Sequence, residues 1–164
     1  MVMHLKKNQP KGIMPVLDAE ASSAHVASLI HLDTQRAEPG LDVTVDAVFR
    51  VTGPGRLDFG GSEYQPAGRE EVPPQRAHPD DEYGWWKLER GTYVIRYNEA
   101  LSLDEGQHAR VFPHPRLLQA GATHAAFVVD ATSGPMETLL TVGDAGCHLK
   151  ENSRVSRLLI TGAA

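Results

Sequence analysis

Cysteine is nearly absent from the sequence, which contains Cys147 alone. A single cysteine cannot form a disulfide within the chain, and it excludes a zinc site built from several thiolates. No apolar stretch approaches the length that a membrane span requires. The basic opening, residues 1–11, lacks the apolar run of a signal peptide. These absences predict a cytoplasmic protein without a membrane partner.

Positive charge is also scarce, because 16 Lys and Arg face 21 Asp and Glu, and the formal net charge is −5. This balance argues against polymeric nucleic acid as a partner. A small anionic ligand is still compatible, since a local pocket can be basic on an acidic protein. The sequence has no Gly-Lys-Ser/Thr phosphate loop and no Gly-x-Ser-x-Gly nucleophile motif. Its eight histidines show no ligand-pair spacing, so no protein-held metal site is predicted.

Glycine and proline, in contrast, are frequent, with 15 Gly and 11 Pro among 164 residues. Many turns imply short strands, and the length suits one domain. Residues 1–18 are interpreted as an N-terminal arm, and residues 19–164 as a single β domain. A short helix is predicted within Ala19–Leu32, where apolar side chains are spaced along one face. The stretch Gln65–Tyr83 holds four prolines among charges and is predicted to be a long surface loop.

Alternation of apolar and polar residues begins at Leu41 and continues to Val51, which predicts a strand. Leu57–Phe59 is a further short candidate. The second half of the chain shows regularly spaced strand patterns separated by turn residues, at Trp85–Leu88, Thr92–Tyr97, Ala100–Leu103, Ala109–Phe112, Ala125–Val129, Thr138–Val142 and Arg154–Ile160. Short strands at this spacing predict a mainly β fold of the sandwich or jelly-roll type.

Several segments in order resemble one protein family. The segment Glu38–Val45 is similar to the opening Pro-Asn-Gly-Val-Asp-Leu-Thr-Leu of archaeal-type dUTP pyrophosphatases and their dCTP deaminase relatives. The tail Lys150–Ile160 resembles the last strand of that family, which usually reads Ala-Arg-Ile-Ala-Gln-Leu. Between them the match continues in register at Val48–Arg50, Gly55–Phe59, Trp86–Leu88 and Gly91–Glu99. The resemblance therefore covers the chain from about Pro39 to Ile160.

This resemblance implies a distorted jelly roll (a dUTPase-like β-clip) that assembles as a homotrimer, with active sites between subunits. Members of the family hydrolyse dUTP to dUMP and pyrophosphate with Mg²⁺, deaminate dCTP, or do both. Asp130 corresponds to the aspartate that positions water in the hydrolases, although a turn-capping aspartate would look the same. Glu137 lies near the acid–base glutamate of the deaminases, behind a loop one residue shorter. Asp42, in the opening motif, is expected to give structural support.

The phosphate-binding segment departs most from the family pattern, Pro-Arg-Ser-Ser-Leu-Leu-Arg-x-Gly. Here His114 replaces the first arginine, Pro115 and Arg116 replace the two serines, and Gln119 replaces the second arginine. Each lost charge-assisted hydrogen bond should cost about 1.5–3 kcal/mol. Arg116, and His114 when protonated, are candidate replacements for these phosphate contacts.

The remaining candidate residues lie downstream of this segment. Gly121 and Thr123 keep the turn that borders the nucleobase in relatives. In the tail, Arg154 is retained and Arg157 replaces the family glutamine, adding a positive charge.

Three functions are compatible with these residues. The first is a dUTP-type deoxynucleoside triphosphate pyrophosphohydrolase that uses Asp130, with Mg²⁺ bound alongside the triphosphate. The alternative is a catalytically inactive homotrimer of the same fold that binds a nucleotide or a protein partner, which the substituted phosphate segment favours. A deaminase is third, because the Arg-Ser pair is missing and the register of Glu137 differs.

Overall fold

The described part of the chain folds as a curled antiparallel sheet with three short helices. A computed structural model describes residues 14–129 and 134–163. The helices are α1 (Ala19–Ser23), α2 (Leu32–Gln35) and α3 (Pro115–Gln119). The strands in chain order are β1 (Val26–Ala27), β2 (Leu41–Val51), β3 (Arg69–Val72), β4 (Trp85–Leu88), β5 (Gly91–Leu101), β6 (His108–Pro113), β7 (Ala122–Thr123), β8 (Phe127–Val129), β9 (Pro135–Val142), β10 (Cys147–Lys150) and β11 (Arg154–Thr161).

One nine-stranded sheet forms most of the molecule. Its strands follow the order β7-β9-β5-β2-β11-β6-β8, while β1 pairs with β5 and β3 pairs with β2. A separate two-stranded ribbon joins β10 to β4. The mainly β fold with a short N-terminal helix, as predicted from the sequence, is confirmed. In the described part of the chain, no helix is long and apolar enough to cross a bilayer.

The core lies inside the curl of the sheet, and the period of two explains which residues enter it. On β5 the buried residues Tyr93, Ile95 and Tyr97 alternate with half-buried ones. Trp86 on β4 is buried and donates its indole N–H to the Val72 carbonyl at 2.8 Å. That bond satisfies the one polar atom of a large core side chain.

The helix predicted within Ala19–Leu32 is much shorter than expected, since α1 ends at Ser23. Val26 and Ala27 pair with Leu101 and Ala100 instead, because the end of β5 offers backbone partners there. Ser28 has a positive φ of 64°, which a continuous helix cannot accommodate. A second short helix, α2, then forms beyond this break.

One strand prediction and one loop prediction also needed correction. Leu57–Phe59 is not a strand, because the Asp58 carboxylate accepts the Gly61 and Glu63 N–H groups at 3.0 and 3.2 Å and closes a turn. Within Gln65–Tyr83, Arg69–Val72 forms strand β3 against the far end of β2. Its sequence Arg-Glu-Glu-Val shows no alternation because β3 is exposed on both faces over most of its length.

Strand β2 connects the fold to the candidate site. Gly40 precedes it with a φ of +85°, and a Cβ at this position would overlap the Leu158 carbonyl oxygen. Only glycine therefore lets the chain enter β2 this close to β11. Because β2 and β11 are antiparallel neighbours, Asp42 stands opposite Arg157.

Candidate functional site

A buried carboxylate with three basic partners forms the centre of the site. The side chain of Asp42 is only 3% exposed. Its Oδ1 accepts from Arg157 Nε at 3.2 Å, and its Oδ2 lies 3.3 Å from Arg154 Nη1 and 3.3 Å from His114 Nε2. We call these four residues the Asp42 cluster. Both oxygens of the carboxylate are engaged.

A bulge in β11 explains how two arginines three residues apart reach one carboxylate. In a regular strand, residues 154 and 157 would point to opposite faces of the sheet, because side chains alternate. The β11–β2 register shifts between Arg154 and Ser156. The extra residue of such a bulge returns the second side chain to the face of the first. Arg154 and Arg157 consequently flank Asp42 from the same strand.

His114 joins the cluster through the helix that follows it. The residue is the N-cap of α3, and its Nδ1 accepts the Arg116 backbone N–H at 3.1 Å. Because Nδ1 accepts, the ring proton lies on Nε2 and faces Asp42. Pro115 occupies the first helical position, where a missing N–H costs nothing. The His114 ring therefore accepts from the Arg116 N–H, which is the first backbone donor of α3 because Pro115 has none.

A cavity of about 230 Å³ opens beside the cluster. Arg116, Arg154 and His114 line it together with His148 and Ser153. Among residues 14–129 and 134–163, the side chains of Arg116 and His148 make no hydrogen bond or ion pair. The cavity wall therefore carries positive charge and unused N–H donors, which suit an anion.

A second cavity of about 300 Å³ adjoins the first. Arg154 and Ser153 line both cavities, so the two are neighbours. The second cavity also exposes Ile30 and Tyr83 and is the less basic end. Arg154 Nη1 additionally donates to the Thr34 carbonyl at 2.9 Å, which holds α2 against this groove. We call these two neighbouring cavities the basic groove.

A buried carboxylate fixes α2 in place. Glu99 is fully buried and accepts from the Thr44 N–H, the Thr44 hydroxyl and Gln35 Nε2, at 2.9, 2.7 and 2.7 Å. Burial raises the pKa of Glu99, and these hydrogen bonds oppose that shift. Gln35 Oε1 in turn accepts the N–H groups of Ile30 and His31. The residues on the α2 side of the groove are thereby tied to the sheet.

A second buried network lies beneath β11. Ser156 Oγ is 2.7 Å from both Tyr97 Oη and His124 Nε2, and His124 Nδ1 is 2.8 Å from the Ala125 carbonyl. Since a carbonyl only accepts, His124 Nδ1 donates, Ser156 donates to Nε2, and Tyr97 donates to Ser156. Burial lowers the pKa of His124 and raises that of Tyr97. The network joins the segment after β7 to the strand that carries both arginines.

The other predicted site residues lie elsewhere. Gly121 and Thr123 are at β7, next to the C-terminal end of α3, and Thr123 pairs with Thr141 of β9. Glu137 forms an ion pair with Arg69 at 2.8 Å. Both line a separate open cleft of about 700 Å³ whose lining does not include the Asp42 cluster. Asp130 lies outside the described residues.

The described residues do not fit a magnesium ion. Within residues 14–129 and 134–163, no group of three or more His, Cys, Asp or Glu is placed to hold a metal. Mg²⁺ prefers carboxylate oxygens and water. The buried carboxylate beside the basic groove, Asp42, has both oxygens engaged by basic side chains. It therefore offers no free oxygen to a cation.

Two features of the site were not foreseen in the sequence. The proline after His114 was an available signal for a helix start, because proline is favoured at the first helical position. Histidine, however, is outside the usual set of N-cap residues. The Gln35–Glu99 contact links residues 64 positions apart, and no local sequence pattern predicts it.

Comparisons with known proteins agree with this architecture. No protein-family model matches the sequence. A probable deoxyuridine 5'-triphosphate nucleotidohydrolase of Methanosarcina mazei is 30% identical over 142 residues, which cover 85% of this chain and 80% of the relative. A protein of Archaeoglobus fulgidus with the same description is 30% identical over 136 residues, covering 82% of this chain and 76% of the relative.

Among solved structures, the 2'-deoxycytidine 5'-triphosphate deaminase of Agrobacterium tumefaciens superimposes with a TM-score of 0.61 at 14% identity. The match covers 92% of this chain, which spans about half (49%) of the deaminase chain. At this identity the likeness concerns the fold. The sequence relatives, each 30% identical over most of the chain, show that the chain belongs to the deoxyuridine 5'-triphosphate nucleotidohydrolase (dUTPase) family.

Proposed function

We propose that the protein is a dUTP pyrophosphohydrolase that converts dUTP to dUMP and pyrophosphate. One observation carries this proposal: Arg116, Arg154 and His114 line one cavity, and Asp42 contacts both Arg154 and Arg157. Guanidinium groups form short, charge-assisted hydrogen bonds to phosphate oxygens, and two or more can hold a polyphosphate. The relatives supply the substrate class, since they are described as probable dUTP nucleotidohydrolases.

The chemistry requires water to attack the α-phosphorus. A new bond forms from the water oxygen to phosphorus, the bond to the α,β-bridging oxygen breaks, and pyrophosphate leaves. We assign the water-orienting carboxylate to Asp130, following the family correspondence. Arg116 and Arg154 would bind the phosphate oxygens on which charge increases during this step. Gly121 and Thr123 border the nucleobase in this proposal.

The family resemblance also implies Mg²⁺ with the triphosphate. Because the Asp42 carboxylate has no free oxygen, the ligands of such an ion would be phosphate oxygens and water. None of the steps assigned above to protein residues uses the ion.

We further propose a cytoplasmic homotrimer. The outer face of β3, β2, β5 and β9 supports this, because it exposes Leu139 and ion pairs such as Asp46–Arg96 at 2.9 Å. An exposed apolar side chain on a face whose charges are already paired is compatible with contact between identical chains. Light scattering that gave the mass of a monomer would contradict the trimer and any site between subunits.

A non-catalytic nucleotide-binding or partner-binding protein is the second candidate, and a specific observation favours it. The start of α3 presents few donors to a phosphate: His114 takes the Arg116 N–H, the Leu117 N–H bonds the His114 carbonyl, and Pro115 has none. A deaminase is third, since Glu137 is paired with Arg69 away from the basic groove.

Pyrophosphate release separates these candidates. The purified chain would be incubated with each deoxynucleoside triphosphate and Mg²⁺, beside Asp130→Asn. Asp144→Asn, which alters an exposed partner of Arg90, is the matched control. We expect turnover of dUTP by the wild type and by Asp144→Asn, and its loss in Asp130→Asn. No turnover of any nucleotide above Asp130→Asn would reject the enzyme, and release of ammonia from dCTP would favour the deaminase.

A further inference from the structure

We propose that His148 binds a phosphate group in the cavity of about 230 Å³, so that the β4–β10 ribbon and α3 together hold a diphosphate or triphosphate chain. This inference rests on the anion site of the proposed function and adds a residue to it. It also specifies the part of a nucleotide that this cavity recognises, which is the phosphate chain rather than the nucleoside.

The start of α3 leaves an anion in this cavity to side chains. The Arg116 N–H bonds His114 Nδ1 at 3.1 Å, the Leu117 N–H bonds the His114 carbonyl at 3.0 Å, and Pro115 has no N–H. Backbone N–H groups hold anions at many helix starts, but these donors are already engaged. Phosphate oxygens therefore need donors from the side chains of the cavity wall.

Two of the basic side chains that line the cavity keep all of their donors. Arg154 and His114 are held by Asp42, whereas Arg116 and His148 contact no acceptor among the residues that the structure describes. No aspartate or glutamate belongs to the described lining of this cavity. A guanidinium from α3 and an imidazole N–H from β10 are thus available to one anion.

The ribbon directs His148 outward and places further positive charge next to it. On β10 the buried residues Cys147 and Leu149 alternate with the exposed residues His148 and Lys150, because one face of this strand covers the core. Lys87, which is also exposed, stands directly opposite His148 on β4. Directly opposed side chains share one face of the ribbon, and two basic ones repel each other when both are charged. A bound phosphate would offset that repulsion.

The dimensions of the cavity suit the phosphate chain. Pockets that enclose a whole drug-sized ligand measure about 300–1,000 Å³, and this cavity is smaller, at about 230 Å³. Its described lining contains no phenylalanine, tyrosine or tryptophan, so it offers a nucleobase none of these rings to stack on. Tyr83 lines the neighbouring cavity instead. The site therefore holds phosphate groups, and the nucleoside lies outside it.

Calorimetry with phosphate chains that carry no nucleoside tests this directly. The Kd of pyrophosphate and of tripolyphosphate would be measured at constant ionic strength for the wild type, His148→Ala and His148→Lys. We expect His148→Ala to weaken binding of both by about five- to tenfold, because a hydrogen bond to a charged phosphate oxygen is lost at an exposed position. His148→Lys supplies another basic donor and should bind within about threefold of the wild type.

Lys150→Ala is the matched control for His148→Ala. It removes a positive charge from the same face of β10, but Lys150 does not belong to the described lining of the cavity. Because salt screens exposed charges that make no contact with the ligand, this variant should change either Kd by less than about twofold.

The outcomes separate this inference from the proposed enzyme. Equal changes of Kd in His148→Ala and Lys150→Ala would overturn the inference, as would failure of both phosphate chains to bind folded wild-type protein, even if dUTP is hydrolysed. A loss in His148→Lys as large as in His148→Ala, with both variants folded by thermal melting, would overturn it too. Binding of tripolyphosphate that depends on His148, without turnover of any nucleotide, would uphold the inference and reject the enzyme.

Discussion

Replacing Asp42 by asparagine keeps the shape of the side chain and removes its charge. In the wild type the buried carboxylate accepts from Arg157, Arg154 and His114. Asparagine offers one accepting oxygen, and its amide N–H groups would face one of these donors. At least one donor consequently loses its acceptor, and two guanidiniums are left without the charge that holds them together.

The expected cost follows from the exposure of each partner. Breaking a fully buried ion pair costs about 3–5 kcal/mol, and a hydrogen bond to a charged group is worth about 1.5–3 kcal/mol. Here Arg154 and Arg157 are 30% and 34% exposed, so water recovers part of the loss. We expect Asp42→Asn to lower the free energy of unfolding by about 2–3 kcal/mol. For a chain of this length that corresponds to a fall in Tm of about 5–10 °C.

Urea denaturation at fixed protein concentration measures this cost, with Asp46→Asn as the control. Asp46 lies on the same strand and contacts Arg96 at 2.9 Å, but both side chains are well exposed, at 41% and 37%. An exposed pair contributes at most about 1 kcal/mol, so this variant should unfold almost like the wild type. If Asp42→Asn were no more destabilised than Asp46→Asn, the structural role of the cluster would be refuted.

Two further predictions concern packing and protonation. Burial lowers the pKa of His124 below its usual value of about 6.5, so the unfolded chain takes up the proton first and stability is lost as the pH falls below about 6.5. The variant His124→Gln keeps an acceptor for the Ser156 hydroxyl but cannot take up a proton. The difference in free energy of unfolding between the wild type and this variant, measured by urea denaturation, should therefore shrink as the pH falls from about 7.5 to about 5. A difference that stays constant over this range would contradict the prediction. Gly40→Ala should cost about 3 kcal/mol or more, because φ is +85° and a Cβ overlaps the Leu158 carbonyl. Gly60→Ala, which meets no atom within 4 Å, should cost less than about 1 kcal/mol, and equal melting of the two would refute the steric argument.

Much of the sheet could be predicted because the long strands are rich in regularly spaced apolar residues. The alternation of apolar and polar residue types in Leu41–Val51 predicted β2 with its observed bounds, although both faces of this strand are buried over most of its length. Where neither face is buried, as over most of β3, the sequence carries no such period. No helix was predicted at α3, although Pro115 stands at its first position, where proline is favoured.

The site was less accessible from sequence, since it depends on register. The family resemblance singled out Asp42, Arg154 and Arg157 separately, yet a regular strand would place the two arginines on opposite faces. Their convergence requires the bulge between Arg154 and Ser156, which only the pairing of β11 with β2 reveals. Likewise, the contact of Glu99 with Gln35 depends on how β5 and α2 meet in the fold.

The position of β11 in the sheet has a consequence for synthesis of the chain. Among the strands in residues 14–129 and 134–163 this one is the latest along the chain, but it lies between β2 and β6, in the middle of the sheet. Until residues 154–161 leave the ribosome, both neighbours present unpaired edges to other chains. Arg154 and Arg157 arrive on the same strand, so a truncated chain lacks the sheet centre and the anion-binding groups together. Addition of β11 thus completes the centre of the sheet and brings both arginines of the site into place.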